Sequence, residues 1–125
     1  MSRILVADDD AIQLDLRRLL LEAAGHEVVL ALEPSGALEQ LDRGWDLLIM
    51  DLRFLNCAGL PDPREGLALI RRIRELGNQI PVVVLSGWPE DLYGQPEEKL
   101  VSRVMVKPVP ARALLAAIAE LVPAS

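Results

Sequence analysis

Five short apolar segments, separated by longer stretches with helical periodicity, constrain the fold of this chain more than any other feature of its sequence. Each segment is apolar throughout, which is typical of strands in a parallel sheet that helices cover on both faces. Five such strands alternating with helices within 125 residues predict a doubly wound α/β domain. The predicted strands are residues 4–7, 28–31, 47–50, 81–85 and 104–106.

The stretches between these segments predict four helices, and the whole chain, residues 1–125, is expected to form one domain. In the first helix the spacing of the apolar residues predicts one shared apolar face, formed by Ile12, Leu16, Leu19, Leu20 and Ala23. Asp10 lies just before this helix and is expected to cap its N-terminus. The predicted helices are residues 11–24, 35–43, 65–76 and 110–122.

Two segments depart from the alternation of strands and helices. Residues 88–100 contain Pro89, Gly94 and Pro96, which interrupt any long helix. Residues 53–64, approximately, connect the third strand to its helix and are longer than most connections of this kind. We therefore predict an irregular helical region in the first segment and an inserted loop in the second.

Composition narrows the possible classes of function. The sequence is 51% apolar, which is enough to build a core and excludes a disordered chain. Thirteen basic and nineteen acidic residues give a net charge of −6, which argues against direct binding of nucleic acid. The only cysteine, Cys57, cannot form an internal disulfide, and no apolar run approaches the length of a membrane helix. We expect a cytoplasmic protein that does not contact the membrane.

The polar residues that follow the predicted strands are the strongest indication of function. Asp8 and Asp9 follow the first strand, Asp51 the third, Ser86 the fourth and Lys107 the fifth. Ligands of open α/β sheets bind at this edge, where neighbouring strands end. Clustered carboxylates repel one another unless a cation such as Mg²⁺ neutralises them, and a lysine suits a phosphoryl oxygen. The pattern predicts a phosphoryl-transfer site that works through an aspartyl phosphate.

Four stretches of the sequence resemble the receiver domain of bacterial two-component response regulators. They read RILVADDD at 3–10, DLLIMDL at 46–52, IPVVVLSG at 80–87 and VMVKPV at 104–109, so that the resemblance covers essentially the whole chain. It implies a (βα)5 fold of the flavodoxin-like or CheY-like type, with a five-stranded parallel sheet of strand order 2-1-3-4-5.

The resemblance also implies a role for each polar residue. Asp51 would accept a phosphoryl group from the phosphohistidine of a sensor histidine kinase or phosphotransfer protein. Asp9 would bind Mg²⁺ directly, Asp8 would act mainly through a bound water, and the backbone carbonyl of Arg53 would complete the protein ligands, together with Asp51 itself. Lys107 would pair with Asp51 before transfer and with the phosphoryl group afterwards.

Ser86 would turn toward the phosphoryl group and report its presence, and the Lys107–Pro108 peptide bond is expected to be cis. Gly66, which resembles the glycine at the start of the third helix in the family, lies fifteen residues after Asp51, about twice the usual separation. This spacing is a further indication of an insertion beside the site.

Two other departures concern the response to phosphorylation. Val104 stands where many receivers have an aromatic residue that rotates inward. The resemblance implies that Arg53 and Trp88 occupy positions beside the phosphoryl group, and because both are bulky we predict that they exclude water and slow dephosphorylation. The chain would then catalyse its own phosphorylation and slow autodephosphorylation without being a turnover enzyme.

The expected partners, besides the phosphodonor, are a downstream effector protein or domain and a second copy of the chain. The second copy would pair through the face made by the fourth helical region, the fifth strand and the last helix.

Three other functions are alternatives to this one. An aspartate-nucleophile phosphatase requires an acid at position 53, where Arg53 stands. A flavodoxin-like cofactor module requires a phosphate-binding loop after the first strand, where three acids stand. A pseudo-receiver, acting only as a docking module without phosphorylation, remains open because of the insertion.

Overall fold

The computed structural model describes residues 2–122 of the chain. Within this range, seven strands and four α-helices follow one another in the order that the sequence pattern predicts, apart from two short strands in the insertion. The elements are β1 (Arg3–Ala7), α1 (Ala11–Ala23), β2 (Glu27–Ala31), α2 (Pro34–Gln40), β3 (Leu47–Met50), β4 (Phe54–Leu55), β5 (Pro61–Asp62), α3 (Pro63–Glu75), β6 (Val82–Ser86), β7 (Arg103–Val106) and α4 (Ala111–Leu121).

The central sheet has five parallel strands in the order β2-β1-β3-β6-β7. When the two strands of the insertion are set aside, this is the predicted order 2-1-3-4-5, and the doubly wound α/β fold is confirmed. Strand β1 lies between β2 and β3, with Ala7 opposite Met50 in the register of the second pair. The residues that follow β1 and β3 therefore leave the sheet side by side.

Alternate residues of each central strand enter two separate hydrophobic cores, as the two-residue period of a strand requires. Leu5, Leu48 and Val84 point to the side of α2 and α3, where Ala37 and Ile70 are buried. The neighbouring strand residues, which include Ile4, Val6, Ile49 and Val83, point to the side of α1 and α4. There they pack with Leu14, Leu21, Leu114 and Ile118 of those two helices. Burial on both faces explains why these strands are apolar throughout.

Helix α1 turns a different face to the sheet than the sequence predicts. Its buried residues are Leu14 and Leu21, whereas Ile12, Leu16 and Leu19 are 72%, 56% and 61% exposed. Of the predicted face, Ala23 is also exposed, and Leu20 alone packs against the core. The prediction of the buried face was wrong because α1 carries apolar residues on more than one side, so that the spacing alone does not select one. The predicted cap is confirmed, since the Asp10 carboxylate accepts hydrogen bonds from two backbone N–H groups of the first turn.

The predicted insertion is a β-hairpin rather than an irregular loop. Strands β4 and β5 pair antiparallel, with Phe54 opposite Asp62, and the Phe54 side chain is buried in the core. The Asn56 side chain organises the turn, because its oxygen accepts hydrogen bonds from the N–H groups of Ala58 and Leu60. The insertion is therefore anchored at its base and closed by hydrogen bonds at its tip.

The segment that the prolines interrupt contains two 3₁₀ helices, Pro89–Asp91 and Pro96–Leu100, in place of one long helix. Arg74 of α3 holds the second of them, because its guanidinium donates to the backbone carbonyl of Leu100 at 2.7 Å. No helix among residues 2–122 is long and apolar enough to cross a membrane.

Candidate functional site

Asp51 and Lys107 form a close ion pair at the carboxyl edge of the sheet. The Nζ of Lys107 lies 2.6 Å from Oδ2 of Asp51, which directly follows β3. The other carboxylate oxygen of Asp51 accepts hydrogen bonds from the backbone N–H groups of Leu52, at 2.6 Å, and Arg53, at 3.2 Å. The Lys107–Pro108 peptide bond is cis, as the resemblance implies. Asp51 is thus held at both oxygens and remains partly exposed.

Asp8 is buried beneath this pair, with 1% of its surface exposed. Its Oδ1 accepts a hydrogen bond from the backbone N–H of Asp10 at 3.0 Å, and its Oδ2 lies 2.7 Å from NH1 of Arg17 and 3.6 Å from Nζ of Lys107. Burial by itself raises the pKa of Asp8, but the Asp10 N–H and the two cations outweigh it and hold the pKa below its usual value. Asp8 therefore carries a negative charge at neutral pH.

Asp9 is partly exposed and lies against the other two carboxylates. Partial burial and then the neighbouring charges of Asp8 and Asp51 raise the pKa of Asp9 above its usual value. The crowding of like charge is the electrostatic signature of a site that favours a cation. The chain brings the three acids together because β1 and β3 are neighbours and end at the same edge.

The donor set fits Mg²⁺. Hard oxygen ligands surround the edge, and Mg²⁺ is ordinarily bound by one or two carboxylates, with water and phosphate oxygens supplying the other ligands. Among residues 2–122, no three side chains of histidine, cysteine, aspartate or glutamate already form a closed coordination cluster. The arrangement therefore suits a metal that water and substrate oxygens help to coordinate, with Asp8, Asp9, Asp51 and the Arg53 carbonyl as the candidate protein ligands.

Ser86 and Val104 lie where the sequence predicts, Ser86 at the end of β6 and Val104 within β7. Ser86 ends β6 and is completely buried, and its hydroxyl oxygen accepts a hydrogen bond from the backbone N–H of Trp88 at 3.0 Å. The backbone N–H of Lys107 donates to the carbonyl of Ser86, which ties the ends of β6 and β7 together. Val104 is half-buried and packs against the core on the α3 side.

Arg53 and Trp88 stack on one another beside Asp51. The guanidinium carbon of Arg53 lies 3.9 Å from the centre of the Trp88 ring, within the range of a cation–π contact. The same guanidinium forms a two-pronged ion pair with Asp91, with Nε and NH2 at 2.7 and 3.2 Å from the carboxylate oxygens. We call Arg53, Trp88 and Asp91 the lid, because they join the loop after β3 to the segment after β6.

Gly66 packs directly on the backbone of the residue that follows Asp51. A Cβ at this position would lie 2.4 Å from Cα of Leu52 and 2.5 Å from its carbonyl oxygen, and the Gly66 N–H donates to that same oxygen. This close approach is the physical reason for a glycine at the start of α3. It is present even though the hairpin separates Leu52 from α3 along the chain.

Sequence reasoning missed two charged residues of the site, Arg17 and Asp91. Arg17 lies within a helix, away from any strand end, and Asp91 lies in the irregular segment. Their contacts depend on how α1 and the segment after β6 pack against the sheet edge. No local motif in the sequence carries that information.

Comparisons with known proteins agree with this geometry. Residues 4–119 match the family model of the response regulator receiver domain. The chain is 36% identical over 94 residues to the virulence transcriptional regulatory protein PhoP of Salmonella typhimurium, which covers 72% of this chain and 39% of PhoP. It is 30% identical over 92 residues to the transcriptional regulatory protein CpxR of Escherichia coli K12, which covers 74% of this chain and 36% of CpxR. The chain thus spans less than half the length of these curated relatives.

The fold is also that of solved receivers. The response regulator protein TrrA of Thermotoga maritima, crystallised in complex with Mg²⁺-BeF, superposes with a TM-score of 0.83 over 98% of this chain and all of TrrA, at 24% identity. A CheY-like receiver domain protein from Methanospirillum hungatei superposes with a TM-score of 0.75 at 27% identity, over 96% of this chain and 92% of that one. Sequence match, strand order and fold together show that the chain belongs to the response regulator receiver domain family of two-component systems.

Proposed function

We propose that this receiver accepts a phosphoryl group on Asp51 from a phosphohistidine and thereby switches a protein-interaction surface. The observation that carries the proposal is the 2.6 Å pair between Lys107 and Asp51, set beside the two further carboxylates of Asp8 and Asp9. A carboxylate nucleophile, a lysine for the phosphoryl oxygens and acids suited to Mg²⁺ are the parts that this reaction requires.

In the transfer step, a carboxylate oxygen of Asp51 forms a bond to phosphorus while the bond from phosphorus to the histidine nitrogen breaks. The nitrogen leaves with the bonding electron pair and takes up a proton from solvent, so that a neutral imidazole and an acyl phosphate result. The two backbone N–H groups on Oδ1 of Asp51 orient the nucleophile before the donor arrives.

Mg²⁺, when bound, supplies positive charge that screens the acids and stabilises the phosphoryl oxygens in transfer. We assign Asp9 and Asp51 as direct ligands, the Arg53 carbonyl as a third, and Asp8 as a ligand through water. The raised pKa of Asp9 supports this assignment, because it reflects like charges that a divalent cation would relieve. Lys107 holds Asp51 before transfer and follows the phosphoryl group afterwards.

Ser86 supplies the link between the phosphoryl group and the rest of the domain. Its hydroxyl oxygen accepts the Trp88 N–H, and the hydroxyl proton is available as a donor to a phosphoryl oxygen. If Ser86 turns toward the phosphoryl group, its bond to Trp88 breaks and the segment after β6 is released to move. Because Val104 has no polar or aromatic group to follow that movement, the segment itself would carry the signal.

The lid makes the phosphorylated state long-lived in this proposal. Arg53 and Trp88 lie stacked beside Asp51 and are fixed by Asp91, so they restrict the approach of water to the phosphorus. The protein then acts as a switch that catalyses its own phosphorylation and slow autodephosphorylation, rather than as an enzyme with turnover. An aspartyl phosphate with a half-life of seconds at room temperature would contradict this part of the proposal.

The partners follow from the same reaction. A sensor histidine kinase or phosphotransfer protein would supply the phosphoryl group in the cytoplasm, and an effector protein or domain would read the switch. PhoP and CpxR are transcriptional regulators, which supports an effector of that general kind. The outer face of α4 exposes Ala116 and Ala119 and suits a second copy of the chain. A molar mass in light scattering that does not rise with concentration, with or without phosphorylation, would exclude that dimer.

Phosphoramidate tests the proposal, because it carries the phosphorus–nitrogen bond of phosphohistidine in a small molecule. Wild type should gain a hydroxylamine-sensitive phosphoryl group in Mg²⁺ and none in EDTA. Lys107→Ala should gain it far more slowly, whereas Lys99→Ala, which removes an exposed lysine from the second 3₁₀ helix, should behave as wild type. A folded wild type that stays unmodified would favour the pseudo-receiver, in which the hairpin beside the site serves docking alone.

A further inference from the structure

We propose that Arg17 is a positioning residue that neutralises Asp8 and thereby sets the affinity of the site for Mg²⁺. This inference rests on the proposed function, since it concerns the metal site of the same reaction. Arg17 belongs to α1 and contributes none of the expected metal or phosphoryl ligands. Its side chain nevertheless reaches the acidic site and contacts Asp8 there.

The contact between Arg17 and Asp8 is short and shielded from solvent. NH1 of Arg17 lies 2.7 Å from Oδ2 of Asp8, and the two side chains are 11% and 1% exposed. Side chains of an α-helix project toward its N-terminus, so a long side chain on the second turn of α1 reaches back to the acids that precede the helix. A charged group as buried as Asp8 requires such a partner, because burial otherwise disfavours its ionised form.

Arg17 also determines which carboxylate Lys107 pairs with. The Nζ of Lys107 lies 2.6 Å from Asp51 and 3.6 Å from Asp8, so its stronger contact is with Asp51. Asp8 is left with the Asp10 N–H on one oxygen and with Arg17 as its close cation on the other. When Lys107 turns to the phosphoryl group after transfer, Arg17 still neutralises Asp8.

The charges of the site show what this means for a metal. Asp8, Asp9 and Asp51 supply three negative charges, and Lys107 and Arg17 supply two positive ones. Without Arg17 the site would present one more unit of negative charge to Mg²⁺, and Asp8 would be free to turn toward the metal or its water. The structure therefore predicts that Arg17 weakens Mg²⁺ binding while it holds the metal-free site together.

The neighbouring arginine provides a matched control. Arg18 lies on the same helix and changes the net charge equally when it is replaced, but its side chain is 42% exposed and pairs with Asp15 and Glu22 on the surface. Arg17→Met and Arg18→Met thus separate the local effect of the buried cation from the effect of total charge. Arg17→Lys keeps the charge and is the conservative variant.

Mg²⁺ affinity measured by isothermal titration calorimetry, without any phosphodonor, tests the inference. Even with the dielectric constant of water, a cation about 6 Å from a divalent ion opposes binding roughly tenfold, and the partial burial of this pair does not lower that figure. We expect Arg17→Met to bind Mg²⁺ about tenfold more tightly than wild type, Arg18→Met to differ from wild type by less than about twofold, and Arg17→Lys to restore most of the wild-type affinity. In EDTA, Arg17→Met should unfold at a lower urea concentration than Arg18→Met, and Mg²⁺ should raise its midpoint by more.

Unchanged or weaker Mg²⁺ binding in Arg17→Met, or equal shifts in Arg17→Met and Arg18→Met, would overturn the inference while leaving the proposed function standing. Absence of Mg²⁺ binding in wild type and in every variant would overturn both. Should Arg17→Met fail to fold, Arg17→Gln, which keeps an N–H donor but no charge, gives the same comparison. It is expected to tighten Mg²⁺ binding in the same direction.

Discussion

Replacing Gly66 by alanine should destabilise the domain and slow phosphorylation together. The added Cβ would lie 2.4 to 2.8 Å from three backbone atoms of Leu52, and an ordinary contact requires about 3.4 Å, so either α3 or the loop after Asp51 must move. Forcing a group into a packed interior costs about 3 kcal/mol. The gain in helix propensity from glycine to alanine offsets about 1 kcal/mol of this. A net loss of about 2 kcal/mol is a large share of the stability of a domain of this size.

The measurement is urea unfolding followed by far-ultraviolet circular dichroism, with the rate of phosphoryl gain from acetyl phosphate as a second readout. Phosphorylation should slow because the Leu52 N–H, at 2.6 Å from Asp51, moves with the displaced backbone. Gly36→Ala is the matched control, since its Cβ would meet only the Ala31 side chain, at 3.7 Å, within helix α2. It should raise stability by about 0.5–1 kcal/mol. A Gly66→Ala domain as stable as wild type would refute the close packing of α3 on this loop.

Three further predictions concern charges at and around the site. Asp91→Asn leaves Arg53 without its carboxylate and should shorten the life of the aspartyl phosphate several-fold, measured as loss of phosphorylated mass after the donor is removed; an unchanged decay would count against the lid. Asp9 has a raised pKa, so the stability that it contributes below its unfolded pKa is lost as pH rises through the folded value. Asp9→Asn should therefore unfold at higher urea than wild type in EDTA at neutral pH and lose the stabilisation by Mg²⁺, whereas a lower midpoint in EDTA would contradict the crowding of charge. Asp62 has a pKa that its hydrogen bonds from Arg64 hold well below the usual 3.8, so its contribution is present above that value and is lost as pH falls below it. Asp62→Asn should flatten the fall in stability from pH 6 to pH 2, and parallel curves for variant and wild type would speak against this ion pair.

The sheet was predictable because its physical signal is local and repeated. A strand buried on both faces is apolar along most of its length, and the segments 4–7, 47–50 and 82–85 are apolar and buried at every position. The order of the strands came from the family resemblance, since the segments themselves do not specify their neighbours. Helix α1 shows where periodicity fails: Leu14 and Leu21 are buried, but Leu16 fits the pattern equally well and is exposed.

The position of the insertion was predicted correctly, but its conformation was not. Its length and its prolines indicate a loop, while the hairpin depends on the cross-strand pair of Phe54 with Asp62 and on the turn around Asn56. Phe54 is buried in the same core as the apolar residues of α3. This is a tertiary contact that a short, proline-containing segment does not reveal.

The candidate site likewise contains residues that the sequence predicts and residues that it does not. Asp8, Asp51 and Lys107 could be placed because each directly follows a strand, and strand ends meet at one edge of a parallel sheet. Arg17 and Asp91 could not, because their long-range partners are chosen by the packing of α1 and of the segment after β6. The ends of the strands therefore predict the acids and the lysine, whereas the positions of Arg17 and Asp91 depend on the assembled fold.

The most direct test of the account is the intact mass of the protein after incubation with acetyl phosphate and Mg²⁺, with the modified residue located by peptide mapping. Wild type should gain one phosphoryl group on Asp51, and Asp51→Asn should gain none. Asp46→Asn, which removes an exposed aspartate before the other end of β3, should gain one as wild type does. A phosphoryl group found elsewhere in wild type, or gained equally by Asp51→Asn, would contradict the assignment of Asp51 as the phosphoacceptor.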